Sequence, residues 1–358
     1  MLASLQDILD TVKSNTLTYQ QKLMCLGNIA ERLFDPRELL GYTDEEWQFL
    51  QNQMICDLNE GYAIYRPRYI LPDYNVYIKK GCEFLELPPP KDLDEVLDGL
   101  LILYSHVPSI TTFPVYIGRL DMLLDPFITD EKQDYIKIKR FLNHVDKTVP
   151  DSFCHANIGP YDTKAGRLIL KAVIELEAPT PNMTIRYDKS KTSREFAELA
   201  AKACLLVSKP SFANDAYYIS DLGEQYGIAS CYNALPECGG AYTLTRLRLG
   251  TIARACKTVD EMVNELLPRV AKCALSTMDK RHKFVVEESN FFNTSFLEKE
   301  GFIKRTNFTG MFAIVGLADA ANHLLQQEGL NETFGKSQRG DEIATLIMDK
   351  LKEVTDNH

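Results

Sequence analysis

Several signatures are missing from this 358-residue chain. No apolar run approaches the roughly 20 residues a membrane-spanning helix needs; residues 100–104 are typical of the longest. The first ten residues, MLASLQDILD, contain acids and no basic region, so a secretory signal is not expected. No two of the nine cysteines form a CxxC pair, which excludes zinc-ribbon and thioredoxin readings. The phosphate-cradling patterns GxGxxG and GxxxxGK[ST] are absent, as are SxxK, GxSxG and HExxH. Positive charge is also scarce. Lys plus Arg is 40 against 50 for Asp plus Glu, a net charge of −10. The basic clusters at 137–140 and 280–283 read as solvated helix faces. That balance argues against nucleic-acid binding, which needs clustered cations for phosphate contacts. There is no internal repeat or low-complexity tract.

What is present is globular. Apolar residues make up 45% and charged residues 25%, ordinary values for a packed core. The odd cysteine count suits a reducing, cytoplasmic setting, with most thiols as small core groups. The first 60 residues read as helices, over 17–33 and 44–58, and a Tyr- and Pro-rich connection follows at 62–77. The expected division is a helical segment and connection over 1–90 and a core over 91–358. Within that core, helical patterns (92–107, 131–147, 163–177, 192–209) alternate with strand-like runs (113–118, 153–160, 183–188, 226–232). Thr192 with Glu195, and Thr258 with Glu261, read as capping boxes. Residues 308–325, apolar and rich in small side chains, read as one buried helix. Alternating β and α implies an α/β fold.

The stretch YGIASCYNALPECGGAY, 226–242, is the best candidate for chemistry. It puts Cys231 after an apolar strand-like run and before a turn rich in Pro and Gly. A nucleophilic cysteine needs a base such as His beside it to become a thiolate, and no His is near in sequence. A thiol that transfers a hydrogen atom has no such requirement, and a buried structural cysteine fits as well. The spacing of Cys231 and Cys238 matches no strong zinc pattern. In PNMTIRYD, Arg186 or Asn182 can point into a sheet, and an inward Arg would suit a carboxylate or phosphate; a salt bridge to Asp188 or Glu175 is the plainer alternative.

Taken in order, three segments resemble the glycyl-radical enzymes: PTPNMTIRYDK (179–189), KPSFANDAYYI (209–219) and YGIASCYN (226–233). The resemblance is closer to the uncharacterised YjjI-type subgroup. There it extends to ICDLNEGYAIYRPRYILPDY, ILYSHVPSITTFPVYIGRLD, HANIGP, SCYNALP with GG following, and SFLEKEG. It implies part of a ten-stranded α/β barrel of two half-barrels, of the pyruvate formate-lyase and anaerobic ribonucleotide reductase type, with helices outside and a cysteine loop threaded into it. It further implies an oxygen-sensitive, anaerobic chemistry on an unknown small-molecule substrate. A glycyl radical, installed by a radical-SAM activating enzyme, takes hydrogen from the cysteine, and the resulting thiyl radical takes hydrogen from the substrate. A homodimer is implied for the complete enzyme, with no cofactor bound by this chain.

Carried over by position, Cys231 is the thiyl residue. Ser230 stands where pyruvate formate-lyase has a second cysteine. Asn233 stands where the dehydratase and decarboxylase branches place a Glu, and Glu237 or Cys238 is the substitute nearest in sequence. No nucleotide-binding regulatory domain or zinc cysteine cluster is seen in these residues, which makes ribonucleotide reduction the least expected of the family's reactions. The family's glycine loop, Arg-Val-x-Gly-Tyr, is absent from these residues; 269–272 read Arg-Val-Ala-Lys instead. The expectation is therefore a chain resembling the first two-thirds of such an enzyme, inactive alone, or a split product that needs a separate glycine-loop polypeptide.

Overall fold

The computed structural model describes residues 4–31, 33, 35–56, 64–107, 114–148, 153–229 and 233–358. The described strands are β1 (Ile55–Cys56), β2 (Tyr69–Leu71), β3 (Tyr116–Arg119), β4 (His155–Ile158), β5 (Asn182–Tyr187), β6 (Ser211–Asn214), β7 (Tyr226–Ala229), β8 (Asn233–Pro236), β9 (Gly239–Arg248) and β10 (Phe308–Val315). The fold is mixed α/β. Two compact units are formed, one from 66–241 and 290–309, the other from 1–65, 242–289 and 310–358.

The first unit is built on a parallel sheet in the order β3-β4-β5-β6. Parallel neighbours need a crossover, and helices supply it at Glu131–Thr148, Lys164–Leu176 and Arg194–Val207. The register pairs Asn157 with Thr184, Ile185 with Phe212 and Arg186 with Ala213. Side chains alternate across a strand and align between paired strands. One face therefore carries Ala156, Ile158, Met183 and Ile185. The other carries His155, Asn157, Asn182, Thr184 and Arg186. A sheet face this polar is unusual for a buried parallel sheet, whose strands normally read as apolar runs; Asn157 and Arg186 on it hold the segment 224–228. The antiparallel hairpin β7–β8, with Ala229 opposite Asn233, completes this unit together with β2, which pairs with residues 239–241.

The second unit is mostly helical. Its core gathers Leu247, Leu249, Ile252, Leu267, Val270, Ala274, Leu324, Ile343 and Ile347. The helices Leu249–Arg254, Leu267–Lys283, Leu317–Gln327 and Gln338–Asp356 supply most of it, with β1 pairing to β9 through Ile55↔Leu247.

Four expectations need correction. Residues 308–325 are not one helix: β10 occupies Phe308–Val315, Gly316 takes a left-handed φ of 81°, and the helix begins at Leu317. The aromatic and β-branched content of FTGMFAIV favours the strand, and the left-handed glycine ends it. The helix starting at Asp44 stops at Gln51, and the chain then enters β1. Ser193, not Thr192, caps the helix Arg194–Val207, accepting from Phe196 N; Thr192 Oγ1 accepts instead from Asp188 N at 3.1 Å, closing the preceding turn. The cluster 280–283 is only partly solvated: Arg281 is buried, and Lys280 Nζ lies 2.6 Å from the buried carboxyl of Glu46.

Candidate active site

The hairpin β7–β8 brackets residues 230–232, so Ser230 and Cys231 lie outside the described residues. What is described is how the hairpin is held. Asn157, fully buried on β4, contacts both backbone groups of Ile228: Ile228 N donates to Oδ1 at 2.7 Å, and Nδ2 donates to Ile228 O at 2.9 Å. One position earlier, Gly227 packs against the Tyr116 ring.

Arg186 reaches the start of the same strand. Its Nη1 donates to Tyr226 O at 3.2 Å and its Nη2 to Glu224 O at 3.3 Å. Nε donates to Asp215 Oδ1 at 2.7 Å, and the guanidinium stacks 3.9 Å from the Tyr226 ring centroid. Tyr226 OH donates to the same Asp215 oxygen at 2.8 Å. Arg186 and Asp215 are 2% and 0% exposed, so the charges compensate each other inside the protein. The inward Arg186 read from the sequence is thus present, but its carboxylate is Asp215. Asp188 pairs with Lys191 and Glu175 with Lys139.

Glu237 follows β8. Its backbone N donates to Gln225 O at 3.0 Å, extending the hairpin, and its carboxylate accepts from the Tyr116 hydroxyl. Burial pushes Glu237 up to about 6, against the lowering pull of the Tyr116 hydroxyl and the Arg119 guanidinium. Glu237 opens onto a cavity of about 100 Å³ that is also lined by Asp73, Tyr74, Gly118, Arg119 and Met122. Asp121, just after β3, is likewise pushed up to about 6 by burial; it accepts from Gly159 N at 2.7 Å. His155 is held down near 4 by burial, and its Nδ1 has no hydrogen-bond partner among the described residues. Two carboxyls that titrate near neutrality and one imidazole kept neutral are groups able to move protons.

Cys238 is buried, with Sγ donating to Gly301 O at 3.6 Å, and burial raises its thiol. Asn233 is half-buried at the start of β8. The structure therefore brings Glu237 and Arg186 to the same open end of the hairpin, at 224–226 and 237, with Asn233 at the opposite end, beside 230–232. Sequence reasoning missed Tyr116, Arg119, Asp121, Asn157 and Asp215. All lie inside segments that carried the resemblance, VYIGRLD, HANIGP and SFANDAYY, so the signal was present without any residue being singled out. Among the described residues no group of three or more His, Cys, Asp or Glu could hold a metal ion, and no helix is long and apolar enough to cross a membrane.

The fold and hairpin define a class: the α/β barrel-type fold of the glycyl radical enzymes. The chain superposes on an anaerobic ribonucleotide reductase from Thermotoga maritima with a TM-score of 0.75 at 12% identity, over 98% of this chain and 69% of that one. It superposes on the hydroxyproline dehydratase of Clostridioides difficile with a TM-score of 0.68 at 12% identity, over 99% and 68%. For a protein of 1,2-propanediol dehydration in Roseburia inulinivorans the values are 0.64 and 11%, over 98% and 64%. Within that class the chain belongs to the glycyl radical enzyme YjjI-like family, which it matches over residues 17–358. It is 92% identical to an uncharacterised protein of Haemophilus influenzae over 358 residues, and 43% identical to the uncharacterised YjjI of Escherichia coli over 349. It spans 70% and 67% of those two relatives.

Proposed function

We propose that this chain supplies the thiol side of a glycyl-radical reaction, with Cys231 as the hydrogen carrier. A glycyl Cα radical takes the hydrogen atom of the Cys231 S–H, giving Cα–H and a sulfur radical. The sulfur radical takes a hydrogen atom from a substrate C–H bond, and the steps reverse once the product radical has formed. The supporting observation is the hairpin around 230–232, held from a polar sheet face by Asn157 and Arg186. Sulfur carries a radical without a depressed pKa, so no neighbouring base is required; a closed site excludes competing reactions.

The substrate is a small polar molecule. Glu237, beside Arg119 in its cavity, is the group that exchanges a proton with it, in the place of the missing Glu at Asn233. The radical-storing glycine comes from polypeptide other than residues 1–358, and a radical-SAM enzyme installs the radical under anaerobic conditions. The absence of Arg-Val-x-Gly-Tyr from these residues supports that part.

The test needs no substrate. In D₂O the thiol exchanges its hydrogen, and reversible transfer carries deuterium to the glycine, collapsing the α-hydrogen splitting of the radical's EPR signal. In the activated, complete assembly, Cys231→Ala retains the radical and loses the collapse. Collapse at the wild-type rate in Cys231→Ala contradicts the reading, as does a glycyl radical on residues 1–358 alone.

A further inference from the structure

We infer that Asn157 is the positioning residue for Cys231, its side-chain amide standing in for a neighbouring strand and fixing the register of the hairpin against the parallel sheet. The inference rests on the reading of Cys231 given above.

Both backbone groups of a residue point to the same side of its strand. At Ile228 they point away from β8 and onto Asn157, at 2.7 and 2.9 Å. A primary amide offers the same donor and acceptor as a peptide group, so one side chain satisfies both, three positions before Cys231 in sequence. Asn157 is 0% exposed, which removes water as a competitor. A slip of the hairpin by one residue would turn every side chain to its other face and leave the buried amide and both backbone groups unpaired. The flanking contacts do not duplicate this. Gly227 is fixed by exclusion against Tyr116, and of the backbone groups of 224–226 Arg186 binds two carbonyls, at 224 and 226, and no N–H. Among the described residues, Asn157 is the side chain that takes both the donor and the acceptor of a single residue of β7.

The chemistry of the amide sets the experiment. In Asn157→Asp the carboxylate can accept from Ile228 N but cannot donate to Ile228 O. When protonated, it can do both, with nearly the shape of Asn. By strand register, Arg119 on β3 pairs with position 157, and His155 and Arg186 share its sheet face on β4 and β5; Tyr116 and Asp121 lie elsewhere on and after β3, and Glu237 follows β8. The wild-type profile therefore serves as the reference at every pH. The readout is the rate of deuterium-driven collapse of the glycyl signal in the activated, complete assembly, alongside radical yield and thermal midpoint.

Asn157→Asp is expected to exchange slowly at about pH 8 and to recover about tenfold per pH unit on acidification until its carboxyl is protonated. Asn157→Ala is expected to be slower than wild type by about 100-fold or more at every pH, the usual scale for a misplacement of about 1 Å. A purely structural role would move the midpoint without this recovery. Wild-type exchange by either variant across the range overturns the inference. So does an Asn157→Asp protein that folds yet shows no recovery of exchange, relative to wild type, as the pH is lowered and its carboxyl takes up the proton that lets it reproduce the amide. If Cys231→Ala itself still exchanges, the reading of Cys231 falls and this inference with it. If Cys231→Ala is silent while the Asn157 variants exchange normally, only the inference falls.

Discussion

The ring of Tyr116 fills the space a side chain at Gly227 would need: a Cβ there would lie 2.6 Å from Tyr116 Cζ and 2.9 Å from its hydroxyl oxygen. Tyr116 cannot step aside, because it is fully buried and its hydroxyl is committed to Glu237. Gly227→Ala is therefore expected to destabilise by about 1–3 kcal/mol, the usual range for overpacking. Removing the ring relieves the clash, so Tyr116→Ala with Gly227→Ala costs less than the sum of the two single changes. Denaturant midpoints of the four proteins check this; additive costs would contradict it.

The same argument separates two other glycines. A Cβ at Gly239 overlaps the backbone carbonyl of Asn307, whereas one at Gly250 overlaps the carboxylate end of Asp319, which is half-exposed and can swing away. Gly239→Ala is expected to cost at least about 1 kcal/mol more than Gly250→Ala. Thermal unfolding of the pair settles the order.

Glu237 gives the unit a pH dependence of unusual sign. Its folded value, near 6, is above its ordinary value of 4.5. Between those values the folded protein holds a proton that the unfolded chain has released, so stability falls as pH rises through this window, and the penalty is constant above it. Asp121 acts in the same direction. His155, held down near 4, acts oppositely, losing stability as pH falls from about 6.5 towards 4. Glu237→Gln keeps an acceptor for Tyr116 and removes the first contribution. It is expected to gain up to about 2 kcal/mol at neutral pH and nothing near pH 4. Urea unfolding at the two pH values measures it; an equal effect at both contradicts it.

The buried pair Arg186–Asp215 makes a different prediction. Asp215→Ala leaves a guanidinium without its counter-charge and is expected to cost about 3–5 kcal/mol, while an apolar replacement of both residues costs much less. A double-mutant cycle in denaturant reads the coupling, and a coupling near zero would contradict the pairing.

The sequence conveyed the architecture well where local and tertiary preferences agree. The helix expected from 92 is present as Leu93–Tyr104, with Asp92 as its cap, accepting from Glu95 N, and β4 and β5 lie in the runs HANI and NMTIRY. It failed where a local pattern had two solutions. The small residues of 308–325 suit a helix until Gly316 interrupts them, and Thr192 has a closer use at Asp188. The site was legible as a location but not as a mechanism of support. The partner of Arg186 is Asp215, 29 residues away, and the partner of Asn157 is Ile228, 71 away. Such pairings are set by the β3-β4-β5-β6 order and register, which no periodicity encodes. Glu237 was visible only as a neighbour of Cys231; its raised carboxyl follows from burial, which outweighs the lowering hydrogen bond from Tyr116, 121 residues earlier.

The most direct test of the central claim compares the two cysteines of the 226–242 stretch in the activated, complete assembly in D₂O. Cys238 binds Gly301 O and is expected to be structural. Cys238→Ala should keep the deuterium-driven collapse of the glycyl signal, and Cys231→Ala should abolish it at equal radical yield. Collapse that survives in Cys231→Ala and disappears in Cys238→Ala would contradict the account.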